Sequence, residues 1–316
     1  MRVVVTGGAG YIGGQTVLAL LDAGHSVLAI DRVWQPDHLE HSGAKWLIAD
    51  FAGEVALGAI KTFQPEAIIH CAGTSLVGPS MMNPEEYYNN NFVKTKRLCD
   101  FLVKENIKAR LVFSSSAATY GNPVMTPCQE VDPTEPISPY GESKLMTDWM
   151  LTSYQRAYGL DFVSFRYFNA CGADSQARHG QAPGATHIIA RALEALRDNT
   201  CSFVLNGTDF ETEDGTCVRD YVHVEDLADA HILAIDQSVP ADVYNLGTNT
   251  GYSNLQIIHG AIKITHKDLE YNVGPKRDGD PAILTADASK FIAVSTWNPR
   301  FNLEDMITHA WAWYNR

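Results

Sequence analysis

Tyr140 and Lys144, in the stretch ISPYGESKLM (137–146), stand four residues apart, and on a helix that spacing puts both side chains on one face. A free tyrosine has a pKa near ~10 and is a poor base at neutral pH. An ammonium beside it, with a cationic cofactor, stabilises the phenolate and makes the pair a proton-transfer device for an alcohol or sugar oxygen. Upstream, FSSSAATYG (113–121) offers Ser116, whose hydroxyl can hydrogen-bond and orient such an oxygen. Each feature also has a plainer use. Ser138 and Pro139 make an ordinary N-cap and first helical position, and serines after a strand form turns.

A second set of residues supplies a cofactor for that proton chemistry. Gly7, Gly10 and Gly13 lie in VVVTGGAGYIGGQTVLALLDAG, between a predicted strand and an amphipathic helix. The spacing lets the chain turn tightly, lets a pyrophosphate approach the helix N-terminus and lets helix and strand pack closely. Asp31 ends the second predicted strand, where a carboxylate binds the adenosine ribose hydroxyls and repels a 2′-phosphate, which favours NAD over NADP. Arg32 speaks for the other choice, since an arginine there accommodates that phosphate.

The elements that must position these residues follow a regular order. Short β-branched runs at 2–7, 26–31, 45–50, 67–73, 110–116 and 161–169 alternate with helix patterns at 11–23, 84–105 and 139–158. Continuous apolar strands are buried on both faces, so the order predicts an α/β fold with a doubly wound parallel sheet of Rossmann type. After Asn169 the pattern loosens: 170–187 reads as loop, 187–198 as helix, 201–207 as strand, 223–236 as helix and 243–247 as a further strand. The expected division is an NAD-binding domain at 1–169 plus 217–250 and a smaller, discontinuous substrate lobe at 170–216 plus 251–316.

Composition narrows the function. The 316 residues carry 24 basic and 37 acidic side chains, a net charge of −13, and such a surface argues against nucleic acid and anionic membranes as partners. An anionic ligand must then be held by a few placed cations, helix N-termini and backbone amides. No run of 18 apolar residues and no leader pattern is present, so a cytoplasmic protein is expected. Six scattered cysteines without a CxxC pair point to reduced thiols, and eleven histidines without metal-ligand spacing to no metal site.

Together, TGGAGYIG, IIHCAG, PEEYYNNNFVKT, SSSAATYG, SPYGESKLM, FRYFNACGA, TEDGTCVRDYVHVEDLADAH, YNLGT and VGPKRDGDPA resemble, in order, the blocks of the extended short-chain dehydrogenase/reductase family. Within it they are similar to the UDP-glucose 4-epimerases, nearly end to end. The resemblance implies NAD-dependent 4-epimerisation of a UDP-hexose through a transient 4-keto sugar, with Tyr140 as acid/base, Lys144 as its partner and Ser116 at the sugar O4. It further implies an NAD shell of Gly7, Gly10, Tyr11, Ile12, Gly13, Asp31, Asp50, Phe51, Cys71, Ala72, Gly73, Asn91 and Tyr167. Asn169, Arg219, Arg277, Asp280 and Leu284 would bind the UDP-sugar, the arginines on its diphosphate. The plainer reading of Arg219 and Arg277 is surface ion pairing with Asp220 and Asp278. A homodimer is expected; the apolar faces of helices 84–105 and 143–158 either pair across it, as the resemblance implies, or serve the monomer's own core.

Two positions depart from the resemblance. Ser75, in AGTSLVG, stands where many of these epimerases have a lysine, and Leu284 stands at the position that gates the sugar pocket. A bulky tyrosine there resembles strict glucose/galactose enzymes and a small residue those that take N-acetylhexosamines, so UDP-N-acetylhexosamine and UDP-pentose stay open. Nucleotide-sugar dehydratases and decarboxylases of the same fold carry acids just after the active-site hydroxyl; this chain has Ala117 and Ala118.

Overall fold

The computed structural model describes residues 1–198, 203–276 and 280–316. Its strands are β1 (Arg2–Thr6), β2 (Ser26–Asp31), β3 (Lys45–Ile48), β4 (Ala67–His70), β5 (Arg110–Ser116), β6 (Phe162–Tyr167), β7 (Asn169–Cys171), β8 (Phe203–Asn206), β9 (Val218–His223), β10 (Val243–Leu246), β11 (Gly251–Ser253), β12 (Tyr271–Gly274) and β13 (Ile283–Leu284). The helices are α1 (Tyr11–Asp22), α2 (Glu54–Phe63), α3 (Val77–Met82), α4 (Pro84–Tyr87), α5 (Lys94–Lys104), α6 (Pro139–Tyr158), α7 (Ile188–Asp198), α8 (Val224–Ala234), α9 (Asn254–Thr265), α10 (Ser289–Val294) and α11 (Leu303–Tyr314).

Seven strands form one parallel sheet in the order β10-β6-β5-β4-β1-β2-β3. The apolar runs Val3–Val5 and 67–69 are fully buried because one core lies on each face, the arrangement a parallel sheet requires. Strand order reverses between β1 and β4. Ligands of open α/β sheets bind at such a point, beyond the carboxyl ends of the strands.

The second lobe has its own core of α7, α9 and α11 side chains, including Leu193, Ile257 and Ile307. It also carries two small sheets: β9 with β7, β11 and β13, and β8 with β12. The chain returns to the main sheet through α8 and β10, whereas β9, just before them, hydrogen-bonds in the small sheet.

Helix α6 runs over the predicted span. Ser138 Oγ accepts from the Gly141 amide, Pro139 takes the first position, and Gly159, at φ +70°, ends the helix. The expected single helix over 84–105 is broken. Residues Tyr88–Val93 form a π turn between α4 and α5. Asn90 donates to Thr74 Oγ1 and Asn91 bonds both the amide and the carbonyl of Thr74. These side-chain bonds fasten the turn to the segment after β4, and π turns gather at functional sites.

Candidate active site

The cofactor half is built on the turn after β1. Gly7 has φ +73°, and a Cβ there would stand 2.7 Å from the Ala72 amide nitrogen; a Cβ on Gly13 would stand 2.0 Å from the Gly7 carbonyl. Only glycine lets α1, the turn and the end of β4 meet this closely. The first amides of α1, those of Tyr11, Ile12 and Gly13, follow Gly10 and have no partner one turn back, which makes the helix start a ready anion site.

Carboxylates stand at the ends of the next two strands. Asp31 Oδ2 accepts from the Ala9 amide at 3.0 Å, and its Oδ1 accepts from Arg32 at 2.6 Å, so it faces the glycine turn. Asp50 accepts from Ala52 N at 3.0 Å and from Lys94 Nζ at 2.6 Å. Although burial opposes it, Lys94 and the Ala52 amide hold this carboxyl below the usual range, and the charge of Arg32 adds to the effect. Phe51 packs beside Asp50 with its ring centroid 4.7 Å from that of buried His70. Cys71, Ala72 and Gly73 continue from β4, and burial raises the Cys71 thiol to about 11. Asn91 locks this segment, bonding Thr74 and also Ser143 Oγ on α6 at 3.0 Å. Tyr11 spans to the second lobe and donates to the Gly172 carbonyl at 2.7 Å.

Tyr140 and Lys144 sit on the first two turns of α6, against the end of β5. Lys144 Nζ donates to the Ser114 carbonyl at 2.7 Å and lies over the rings of Phe113 and Tyr140, 4.9 and 5.8 Å from their centroids. Burial lowers this ammonium to about 8. The Tyr140 phenol faces the side chain of Ser116, which ends β5 and accepts from Ala118 N at 3.1 Å. The lower value is expected from Lys144 and a cationic cofactor together; in the protein alone the phenol stands above its ordinary value. Burial raises it, Ser116 only partly offsets this, and Lys144 stands over the ring. Gly141 is explained by packing, since a Cβ there would meet the Ala118 carbonyl at 2.4 Å.

On the sugar-nucleotide side, Arg219 of β9 is largely buried and pairs with Asp280 at 3.1 Å, while its Nη1 donates to the Val218 carbonyl. Asp220, its expected surface partner, is instead buried, accepting from Thr248 N at 2.7 Å and Ala286 N at 3.2 Å. Leu284 lies opposite Arg219 across β9 and β13 and packs against a small apolar cluster that contains Ala117, the residue after Ser116, together with Tyr120, Cys128, Phe168 and Ala286. Asn169 donates to the Asp220 carbonyl at 2.8 Å, so its amide joins β7 to β9. The Tyr167 hydroxyl turns inward to Ser114 and His231. Arg277 lies outside the described residues. Ser75 is exposed, and its carbonyl accepts from Tyr87.

Several contributors escaped the sequence reading. Ser114 holds Lys144 through its backbone. Buried His70 lies 2.6 Å from Thr6 Oγ1 and 2.8 Å from Thr95 Oγ1, tying β4 to β1 and α5. Asp148, one turn beyond Lys144, is buried and paired with Arg166 at 3.1 Å, with Ser115 and Ser164 donating to it. The serine run pointed near Ser114; nothing in spacing marked the others.

With this geometry in hand, the chain matches a family model described as the NAD dependent epimerase/dehydratase family over residues 3–247. A curated UDP-glucose 4-epimerase of Halalkalibacterium halodurans is 40% identical over 324 residues, covering 99% of this chain and 96% of its own. The crystal structure of UDP-glucose 4-epimerase from Bifidobacterium longum in complex with NAD+ and UDP has a TM-score of 0.92 at 34% identity, covering 100% of this chain and 98% of that one. A Stenotrophomonas maltophila UDP-glucose 4-epimerase with bound NAD and formylated UDP-arabinopyranose has a TM-score of 0.94 at 31% identity, with coverage of 100% and 98%. The chain belongs to the NAD dependent epimerase/dehydratase family. Its full-length similarity is to UDP-glucose 4-epimerases, and its fold is the Rossmann type of that family.

Proposed function

We propose that this protein is an isomerase that uses NAD to interconvert UDP-glucose and UDP-galactose at C4. The observation that carries the reading is the meeting of Ser116, Tyr140 and Lys144 at the carboxyl end of β5, in the same layer as the glycine turn. The donor set fits NAD. Free amides at the start of α1 suit a pyrophosphate, Asp31 and Asp50 suit the adenosine end, and Lys144 suits the nicotinamide ribose. Held by these groups, NAD would supply a reversible hydride acceptor at the sugar C4, so that the reaction would have no net redox change.

The chain supplies the rest. Ser116 orients the sugar O4, and Tyr140 removes its proton and gives it back after the 4-keto sugar has turned over. Burial holds the free phenol high, so the positive charge of the bound cofactor must bring it toward working pH. Arg219 and Arg277 anchor the UDP diphosphate, Asp280 its ribose, Asn169 and Leu284 border the hexose, and Tyr167 stands on the nicotinamide side. Bidentate cations on the nucleotide leave the hexose free to rotate.

The lobes divide the labour, with 1–169 plus 217–250 binding NAD and 170–216 plus 251–316 binding the nucleotide sugar. A homodimer pairs through the 84–105 segment and α6, around exposed Val93 of the π turn and Trp149; size-exclusion chromatography with light scattering tests it. Leu284 favours a second reading, a range extending to UDP-N-acetylhexosamine or UDP-pentose, in line with the pentose nucleotide in the Stenotrophomonas structure. Ala117 and Ala118 leave no acid beside Ser116 for dehydration. The deciding experiment incubates the purified protein, without added cofactor, with UDP-glucose, UDP-N-acetylglucosamine and UDP-xylose separately, and identifies products by NMR. No 4-epimer from any of them would sink the reading.

A further inference from the structure

Two lines of hydrogen bonds meet at Ser114. Its carbonyl accepts from Lys144 Nζ at 2.7 Å, and its hydroxyl lies 2.9 Å from the Tyr167 hydroxyl. Tyr167 in turn bonds His231 Nε2, and His231 Nδ1 lies 2.7 Å from the Leu227 carbonyl one turn back on α8. Ser114, Tyr167 and His231 are all buried, His231 completely, so solvent does not compete.

The proton positions follow from these partners. A carbonyl only accepts, so His231 Nδ1 carries a hydrogen. Burial lowers this imidazole to about 4, which keeps it neutral at working pH. Its Nε2 is then an acceptor, and the Tyr167 hydroxyl must donate to it. The Tyr167 oxygen accepts in turn from Ser114, whose proton is spent in that bond. The chain therefore has one direction, from β5 to α8, and each hydroxyl has a fixed rotamer.

Lys144 depends on the end of that chain. Among the described residues no carboxylate lies within ion-pairing distance of its ammonium. Around it stand Cys71 and His70 from β4, Phe113 from β5, and Tyr140 and Asp148 from α6, the last already paired with Arg166. Around the Tyr140 phenol stand Ser116, Tyr87 and Tyr167. The contact that fixes the ammonium is the Ser114 carbonyl; the β5–β6 ladder carries the Ser114 backbone, and the bond from its side chain to Tyr167 adds a second hold on the same residue. We propose that His231, acting through Tyr167 and Ser114, is a positioning residue that fixes Lys144 beside Tyr140.

The inference rests on Tyr140 as the base, and the test separates the two. Holoenzymes carrying Tyr167→Phe, His231→Leu or His231→Gln are compared with the parent in kcat and KM against pH. The phenolate absorbance of Tyr140 is titrated as the difference between each protein and its Tyr140→Phe counterpart. Because the phenolate is the active form, activity rises with pH through its pKa, and a displaced ammonium raises that pKa. Tyr167→Phe and His231→Leu are expected to move the acid limb and the absorbance titration up by about one pH unit, a tenfold loss of kcat on the acid side. In His231→Leu, KM for UDP-glucose should stay within about twofold, and His231→Gln, which keeps an acceptor near Nε2, should restore the parental limb. A limb and a titration unchanged in folded, NAD-bound Tyr167→Phe would overturn the proposal, even if its melting temperature fell. Tyr167→Phe loses one oxygen and carries the test alone should His231→Leu not fold. An active Tyr140→Phe enzyme would remove the base itself and the inference with it.

Discussion

The two halves of the site are built differently. In the cofactor half, the groups that would touch NAD are already bonded to one another: Asp31 to the glycine turn, Asp50 to Lys94, Asn91 to Thr74 and α6. In the sugar-nucleotide half, Arg219 is held by Asp280 from 61 residues away, and Leu284 reaches the site on a two-residue strand. A half assembled from consecutive strand ends is rigid before any ligand arrives. A half assembled from distant segments can adjust, which suits a site where the nucleotide stays and the sugar turns.

The sharpest test falls where the halves meet. Tyr140→Phe should lower turnover on the order of 10³-fold, within the range for a general acid/base, while NAD stays bound; turnover assays and the absorbance of retained cofactor check both parts. In the cofactor half, Gly13→Ala drives a methyl into the Gly7 carbonyl. It should cost roughly 1–3 kcal/mol of stability and most NAD retention, read by denaturant unfolding and cofactor content. Equal NAD retention would break the idea that this half is rigid.

The sugar half should respond more softly. Arg219→Ala should raise KM for the UDP-sugar by about 10–100-fold, the worth of a charge-assisted bond, with a smaller change in kcat. Leu284→Tyr should shift kcat/KM by about tenfold in favour of UDP-glucose over UDP-N-acetylglucosamine, the scale of steric discrimination in an apolar pocket.

The gentlest test is pH, at most about 1.4 kcal/mol per pH unit for each group. Burial lowers His70 to about 3, below its unfolded value. Its stabilisation is therefore present above about 6.5 and lost as pH falls toward 3. Burial raises Asp220 to about 6, so its contribution is present below the unfolded carboxyl value and lost as pH rises through 6. Between pH 4 and 6, acidification should weaken hydrogen-exchange protection around β4 and strengthen it around β9. Parallel drifts in both would erase the distinction.

The sequence by itself determined what short range decides. Ser138, Pro139 and Gly159 set α6 and the register of Tyr140 and Lys144, because capping and φ preference act within one turn. The glycine turn, α1 and all seven strands of the main sheet were likewise legible, since apolar periodicity is local. Tertiary structure alone decided the partners. Asn90 and Asn91 in the π turn bond Thr74 beyond β4, β9 joins β7, β11 and β13 in a small sheet, and Arg219 chooses Asp280 over its neighbour Asp220. Tyr167 turns its hydroxyl toward a histidine 64 residues later, and Lys144 finds a carbonyl 30 residues earlier. Those choices depend on which buried polar groups are left to satisfy once the cores have closed, and no spacing along the chain encodes that.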